Sequence, residues 1–446
     1  MSKLVRGLNL REAVAINMID MVGIGPFITI PYVIGAMSGP QCILAWLLGA
    51  ILSFMDGFVW AELGAKWPEA GGSYVFLQHL YGKEKWGRLM SFLYIWQTTF
   101  QAPLVIASGA IGFSQYLTYL VPLEPMYQKM VSGALVIFVC ILLYRKITDI
   151  GKISTIMGIV VIGTLLWLIA SGMYNLNPAM AFTFNKEAMD FTPAFFFGLG
   201  LASTKTIYSF LGYYNVCHLG SEIKEPEKNI PKSIFISIAG ISALYLLMQT
   251  AVSGVIPWQE AKESTFIVST FFERIYGPNA AIIATVLILL IAISSLFAVM
   301  LGYSRVPYAA AVEGNYFKVF AKVHPTKNFP NASLLILASV AFVFSLLFRM
   351  KEVITSIIVM RILVQFVGQS AGLIALHYKN KELKFPYKMI LFPIPPILGI
   401  LVWGFIFFSS GWVYIGGAVA FLLLGALFFL SQSYSNKQWP FGESMA

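Results

Sequence analysis

The stretch Val22-Gly23-Ile24-Gly25-Pro26-Phe27 interrupts a long apolar run near the N-terminus, and Phe210-Leu211-Gly212-Tyr213 interrupts another about 185 residues later. Glycine leaves the backbone poorly shielded, and proline removes an amide donor, so each stretch weakens a helix locally. In lipid, an unpaired backbone amide or carbonyl costs several kcal/mol unless protein, water or a bound solute satisfies it. Pro26 suits the first turn of a new helical segment, where its missing donor would be an orphan in any case. Both stretches are therefore predicted to be breaks inside membrane helices.

The composition supports a membrane setting. Of 446 residues, 58% are hydrophobic and only 11% are charged, with a mean hydropathy of +0.77; a soluble domain carries about 25% charged residues. Windows of about 20 apolar residues span a hydrocarbon core of about 30 Å. Twelve such windows are centred near residues 25, 53, 101, 135, 162, 206, 244, 290, 340, 364, 399 and 421. With a cytoplasmic N-terminus (Lys3, Arg6, Arg11), the alternate loops Lys66 to Arg88, Arg145 to Lys152, Lys224 to Lys232, Arg305 to Lys327 and Lys379 to Lys388 fall inside. Together with the N-terminal Lys3, Arg6 and Arg11 and with Lys437, these loops hold 22 of the 30 Lys and Arg residues. Lys129, Lys186, Lys262, Arg274, Arg349 and Lys351 fall outside, while Lys205 and Arg361 lie within spans. This asymmetry predicts a multi-pass protein of the cell membrane with both termini cytoplasmic. The net charge of +10 reports that topology and contact with anionic lipid, and it gives no argument for nucleic acid. Cys42, Cys140 and Cys217 show neither a disulfide framework nor metal spacing. The first apolar stretch is too long for a cleaved signal peptide, so one membrane-embedded unit is expected.

The first break lies in span one and the second in span six. Five spans separate equivalent features, as an inverted repeat of five plus five helices requires. The expected division is 10–172 for the first repeat, 194–378 for the second and 389–432 for two additional helices. Matched breaks in corresponding places of two halves are a pointer to a transporter's substrate site. The alternative is that Gly23, Gly25 and Gly212 only permit close helix packing, a common use of glycine in membranes. In a broken span one, the outer half-helix presents its positive N-terminal end to the gap, which favours a carboxylate. Carbonyls ending the inner half suit an ammonium group. A zwitterionic amino acid fits both ends at once.

Several motifs add a resemblance. The first break is similar to a Gly-x-Gly-hydrophobe-Phe pattern. Glu62-Leu63-Gly64 with Pro68, Gly71-Gly72, Tyr74 and Tyr81-Gly82 follow span two. Phe210-x-Gly212-Tyr213 precedes Glu222-Ile223-Lys224-Glu225-Pro226 and Asn229-Ile230-Pro231. Ser304-Arg305 and Glu313-Gly314 lie at the end of span eight. In this order the chain resembles the amino acid–polyamine–organocation (APC) superfamily, whose LeuT-type fold has helices one and six broken. The likeness covers roughly residues 10 to 330, and the last spans only by hydropathy. It implies that backbone around Gly23, Ile24 and Gly25 binds the substrate carboxylate. It further implies that carbonyls of Met21 and Val22, with those near Tyr208, Ser209, Phe210 and Leu211, take the amine beside Gly212. Tyr213 is then a candidate aromatic cap, with helix or lipid packing as the other reading. The chain departs from the pattern in three ways. Pro26 removes one carboxylate donor, Ser154 to Ile159 lacks the span-five lysine of many proton-coupled relatives, and Asp20 stands where the family often has an amide or small residue.

Asp20, Asp56, Lys205 and Arg361 fall within spans, where each costs at least about 2.5–3.5 kcal/mol at the centre and needs a partner, a proton or a function. Asp20 and Lys205, near the breaks, are read as candidates for ion or charge coupling, and Asp56 and Arg361 as structural. Ser294 and Ser295 resemble the hydroxyl position completing a sodium site in sodium-coupled relatives, or are helix-packing serines. His218 is read as a structural donor, and His79 could titrate near neutrality.

The expected function is secondary transport of amino acids by alternating access, coupled to protons or by exchange, with sodium ranked lower and neutral substrates favoured. A cationic amino acid or polyamine transporter of the same fold is the alternative. An intramembrane aspartyl-type enzyme using Asp20 and Asp56 is a reading from another class, and a channel lacks any filter-like segment. No Gly-x4-Gly-Lys-[Ser/Thr] sequence is present, so the chain carries no ATP-binding loop of that kind. No cofactor, catalytic residue, metal site or obligatory protein partner is expected; the partners are an amino acid and membrane lipid, with H+ or Na+ as the candidate coupling ion.

Overall fold

The structure is a computed structural model that describes residues 4–184, 189–348 and 350–442, without the side chains of 350–353. Lys3, Lys186, Arg349 and the Lys351 side chain, which entered the charge count, lie outside the described residues. Among those described the fold is all helical, with two isolated bridges, Leu8 with Ile223 and Ala70 with Leu219, in place of any sheet. Seven helices are long and apolar enough to cross a membrane, and an eighth joins them if the bent pair at the N-terminus counts as one span. Asn331–Leu347 and Ile394–Ser409 are apolar but shorter. Each of the twelve window centres lies in helix. The outward faces are apolar: Ile156 and Ile159 are 65% and 68% exposed, a surface that suits lipid and not water.

Helix begins at Leu10 because Asn9 caps it. Asn9 Oδ1 accepts from the Arg11 and Glu12 amides at 2.9 and 3.2 Å, and Glu12 Oε2 accepts in return from the Asn9 amide at 2.8 Å, a reciprocal capping box. This helix ends at Met21, the next runs Gly25–Met37, and the chain bends by 45° between them. Pro26 sits in the first turn of the second piece, where the sequence placed it. The other break is similarly local. The helix Pro193–Phe210 stops, Gly212 adopts φ +127, and helix resumes over Asn215–His218. A left-handed φ of that size is strained for any side chain larger than hydrogen.

The segment before the first break and the segment after the second are tied together at one end of the molecule. The Gly7 and Leu8 amides donate to Glu222 O at 2.9 and 3.0 Å, and the Lys224 amide donates to Leu8 O at 2.8 Å. Arg305 grips the Glu222 carboxylate with two bonds of 2.8 Å, both side chains fully buried. Such a pair, broken on one side, leaves a buried charge uncompensated. These links join the N-terminus, the exit from the second break and the end of the Pro278–Tyr303 helix. Glu222, Lys224 and Arg305, which belong to the quoted motifs, are therefore fasteners of one face.

Candidate functional site

The two breaks touch. A Cβ built on Gly212 would lie 2.8 Å from both Asp20 Cγ and the Met21 amide nitrogen, so glycine is what lets one unwound segment rest on the other. Tyr245, from the Pro226–Val255 helix, locks them: its hydroxyl lies 2.8 Å from Met21 O and 3.1 Å from Ser209 O, sharing its proton between a carbonyl from each break. The amides of Gly23, Ile24 and Gly25 have no acceptor among the described residues. They lie at the positive end of the Gly25–Met37 helix, a combination that suits an anion.

A cavity of about 60 Å³ opens at this junction. Of the residues singled out in sequence, Asp20, Met21, Gly23, Ile24, Gly25, Tyr208, Ser209, Leu211, Gly212 and Ser295 line it. Val22, Phe210 and Tyr213 belong to the breaks without lining it. Ser295 Oγ donates to Asp20 O at 3.4 Å, whereas Ser294 Oγ turns back to Leu290 O of its own helix at 2.8 Å. Lys205 lies outside the lining and donates to Thr355 Oγ1 at 2.9 Å. Tyr208 meets Ser108 Oγ at 2.8 Å, and Ser209 meets Thr29 Oγ1 at 3.2 Å, so both polar groups are held in place.

Tyr213 points away from the cavity. Its hydroxyl donates to Asp56 Oδ2 at 2.5 Å, and Trp60 Nε1 donates to the same oxygen at 2.9 Å. Asp56 is thereby an anchor for the second break, absent from the cavity lining, and Asp20 and Asp56 do not present the facing pair that an aspartyl enzyme requires. The next residue, Tyr214, lines the cavity, as Tyr208 and Tyr303 do.

Arg361 is the residue whose place the sequence reading missed. It is 1% exposed and lines the cavity together with Asp20, Tyr214 and Tyr303. Nε donates to Gln365 Oε1 at 2.8 Å, and Nη2 donates to the Tyr214 hydroxyl. The guanidinium carbon lies 5.2 Å from the ring centres of Tyr214 and Phe366 and 6.0 Å from that of Tyr303, close enough for cation–π attraction. Arg361 ends the helix Met350–Arg361 and is followed by a π-helical stretch, Ile362–Gly368. Such a stretch often marks a functional site, because the wider turn redirects a side chain. The arginine was visible in the sequence as a lone charge deep in a span; its direction was not.

Tyr245→Phe should loosen the junction without removing any cavity-lining group. Losing one shared hydrogen bond costs about 0.5–1.5 kcal/mol, so a fall of a few degrees in the unfolding temperature in detergent is expected. Substrate affinity should fall several-fold more than in a control such as Tyr434→Phe on the exposed surface. Unchanged affinity in Tyr245→Phe would show that the two breaks keep their spacing unaided.

Comparison with known proteins adds to this geometry. Residues 8–441 match the profile of a family described as amino acid permease. The chain is 25% identical to a serine/threonine exchanger of Bacillus subtilis (strain 168), over 85% of each protein. It is 26% identical to large neutral amino acids transporter small subunit 2 of Mus musculus, over 99% of this chain and 83% of that one. It is 22% identical to cationic amino acid transporter 4 of Mus musculus, over 79% of this chain. That last match spans 57% of the mouse protein, little more than half its length. The names of these relatives range over hydroxylated, large neutral and cationic amino acids, so similarity alone does not select a side chain.

Proposed function

The chain belongs to the amino acid permease family, and from that premise we propose that it moves small neutral amino acids across a cell membrane by alternating access, by exchange or together with a proton. The observation that carries this reading is the meeting of two unwound helix segments on one cavity, with free amides on one side and break carbonyls on the other. A zwitterion satisfies both sets without bringing a net charge into lipid. We read the helices as twelve spans with both termini cytoplasmic, repeats over 10–172 and 194–378, and two further helices within 389–432.

Two features favour small and neutral substrates. The cavity of about 60 Å³ corresponds to a few water positions, at ~10–15 Å³ each. Asp20 and Arg361 both line it, so its formal charges balance before substrate enters. This modifies the expectation that Lys205 would neutralise Asp20, since the cation in the lining is Arg361. The cationic or polyamine alternative is disfavoured for the same reason, because a second cation beside a buried guanidinium is repelled.

For coupling, Asp20 is an acidic group in the cavity wall, and Ser295 is the one hydroxyl of the Ser294–Ser295 pair at the break. The carboxyl in the wall ranks exchange or proton coupling above sodium, for which Ser295 is the hydroxyl to test. The test is uptake of labelled amino acids and putrescine into proteoliposomes, with internal amino acid, an inward proton gradient or sodium supplied in turn. Internal amino acid or the proton gradient should accelerate uptake of alanine-sized substrates, and sodium should not. Sodium-stimulated uptake that disappears in Ser295→Ala would reverse the ranking; no uptake of any amino acid under any gradient would remove the function.

A further inference from the structure

We propose that Arg361 forms the side-chain subsite of this cavity and selects a small amino acid whose side chain carries a neutral hydroxyl. The inference rests on the transport reading above and names the substrate class within it. Of the guanidinium donors, Nε is used by Gln365 and Nη2 by Tyr214, while Nη1 has no acceptor among the described residues. The side chain is almost wholly buried yet lines the cavity. Arg361 lines the cavity, so an oxygen supplied by the substrate can take the donor that Gln365 and Tyr214 leave unused.

Charge decides which oxygen. The break amides of Gly23, Ile24 and Gly25 already offer the α-carboxylate its donors, so Arg361 is available to a different group. Asp20 lines the same cavity as Arg361. A second carboxylate on the substrate would tip that balance towards net negative charge in a low-dielectric site; a hydroxyl accepts from Nη1 and leaves the balance unchanged. Size agrees, because the remaining walls, Val105, Leu296, Val299 and Ile357, are apolar and the space is small. One or two carbons can separate the hydroxyl from the backbone. The surrounding apolar walls also strengthen the discrimination, since a methyl group in place of the hydroxyl leaves the charged donor unsatisfied.

The isosteric pair threonine and valine tests this, with serine and alanine as a second pair, by competition against labelled serine uptake in proteoliposomes and by ligand-induced thermal stabilisation of the purified protein. Wild type should prefer threonine over valine by about 10- to 100-fold, the range for a hydrogen bond to a charged group. Arg361→Met should collapse the ratio to within about threefold. Tyr214→Phe removes the acceptor that orients the guanidinium while keeping the ring beneath it, and it should reduce the ratio partway in a protein that still unfolds cooperatively. It serves as the second variant should Arg361→Met fail to fold. Equal affinity for threonine and valine in wild type, or a ratio that survives in both variants, overturns the inference while leaving neutral amino acid transport standing. Aspartate outcompeting threonine in wild type also overturns it, because the subsite would then take a carboxylate. If wild type takes up no neutral amino acid at all, the transport reading itself fails.

Discussion

Gly212→Leu should give a protein that reaches the membrane but neither binds nor moves amino acid. The Cβ alone would meet Asp20 Cγ and the Met21 nitrogen at 2.8 Å and the Asp20 carbonyl carbon at 2.9 Å. Two of those atoms are backbone, which cannot swing aside as a side-chain tip does. The φ of +127 adds a conformational penalty, about 1–2 kcal/mol for a left-handed non-glycine residue, and overpacking adds about 1–3 kcal/mol more. The segments can relieve this only by separating, which destroys the cavity between them. Gly25→Val should be milder. Its Cβ meets the Tyr208 ring at 3.0 Å, and a ring edge yields more readily than backbone, so weakened binding is expected before complete loss. Gly163 is the control: nothing lies within 4 Å of an added Cβ there, and Gly163→Ala should transport normally with a slightly higher unfolding temperature. Uptake and ligand-induced thermal shift, measured together, separate loss of the site from loss of the fold. Normal substrate affinity in Gly212→Leu would mean that the breaks do not form the site.

The contrast among these glycines explains what could be read in advance. Gly23, Gly25, Pro26 and Gly212 announce a broken helix through their own backbone chemistry, so both breaks were legible. Asp20 was legible as a charge one turn from a break. What could not be read was direction. Tyr213 and Tyr214 are adjacent and chemically alike, and the rotation at Gly212 decides that Tyr213 reaches Asp56 while Tyr214 faces the cavity. Arg361 posed the same difficulty on a larger scale. The π-helical turn that follows it, Ile362–Gly368, contains no proline, and its one glycine stands at the last position, where it gives no notice of the turn. Tyr245 gave no signal because a tyrosine in an apolar span reads as packing until the two carbonyls it joins are known. Ser294 and Ser295, neighbours in sequence, likewise diverge because adjacent helical positions face different sides.

Asp20→Asn should convert a site for neutral amino acids into one that resists them. In wild type the carboxylate and the Arg361 guanidinium share the cavity wall, and the zwitterion adds no net charge to it. Removing the negative partner while keeping the side chain's shape leaves the guanidinium unopposed beside the substrate's ammonium. Two unit charges about 8 Å apart at an effective dielectric of about 20 interact by about 2 kcal/mol, roughly thirtyfold in affinity. Neutral substrates should therefore weaken by an amount of that order, and lysine, arginine and putrescine by more. Aspartate, whose extra carboxylate now meets an uncompensated cation, should gain relative to alanine. Lys205→Met should change these ratios little, because Lys205 lies outside the cavity lining and reaches Thr355. The measurement is competition by a panel of unlabelled substrates in wild type, Asp20→Asn and Lys205→Met. Neutral amino acids should lead in wild type, and the order should shift towards anions in Asp20→Asn alone. If lysine, arginine or putrescine instead outcompetes every neutral amino acid in wild type, and Asp20→Asn erases that lead, then Asp20 attracts a substrate cation and does not balance Arg361, and the neutral assignment is wrong.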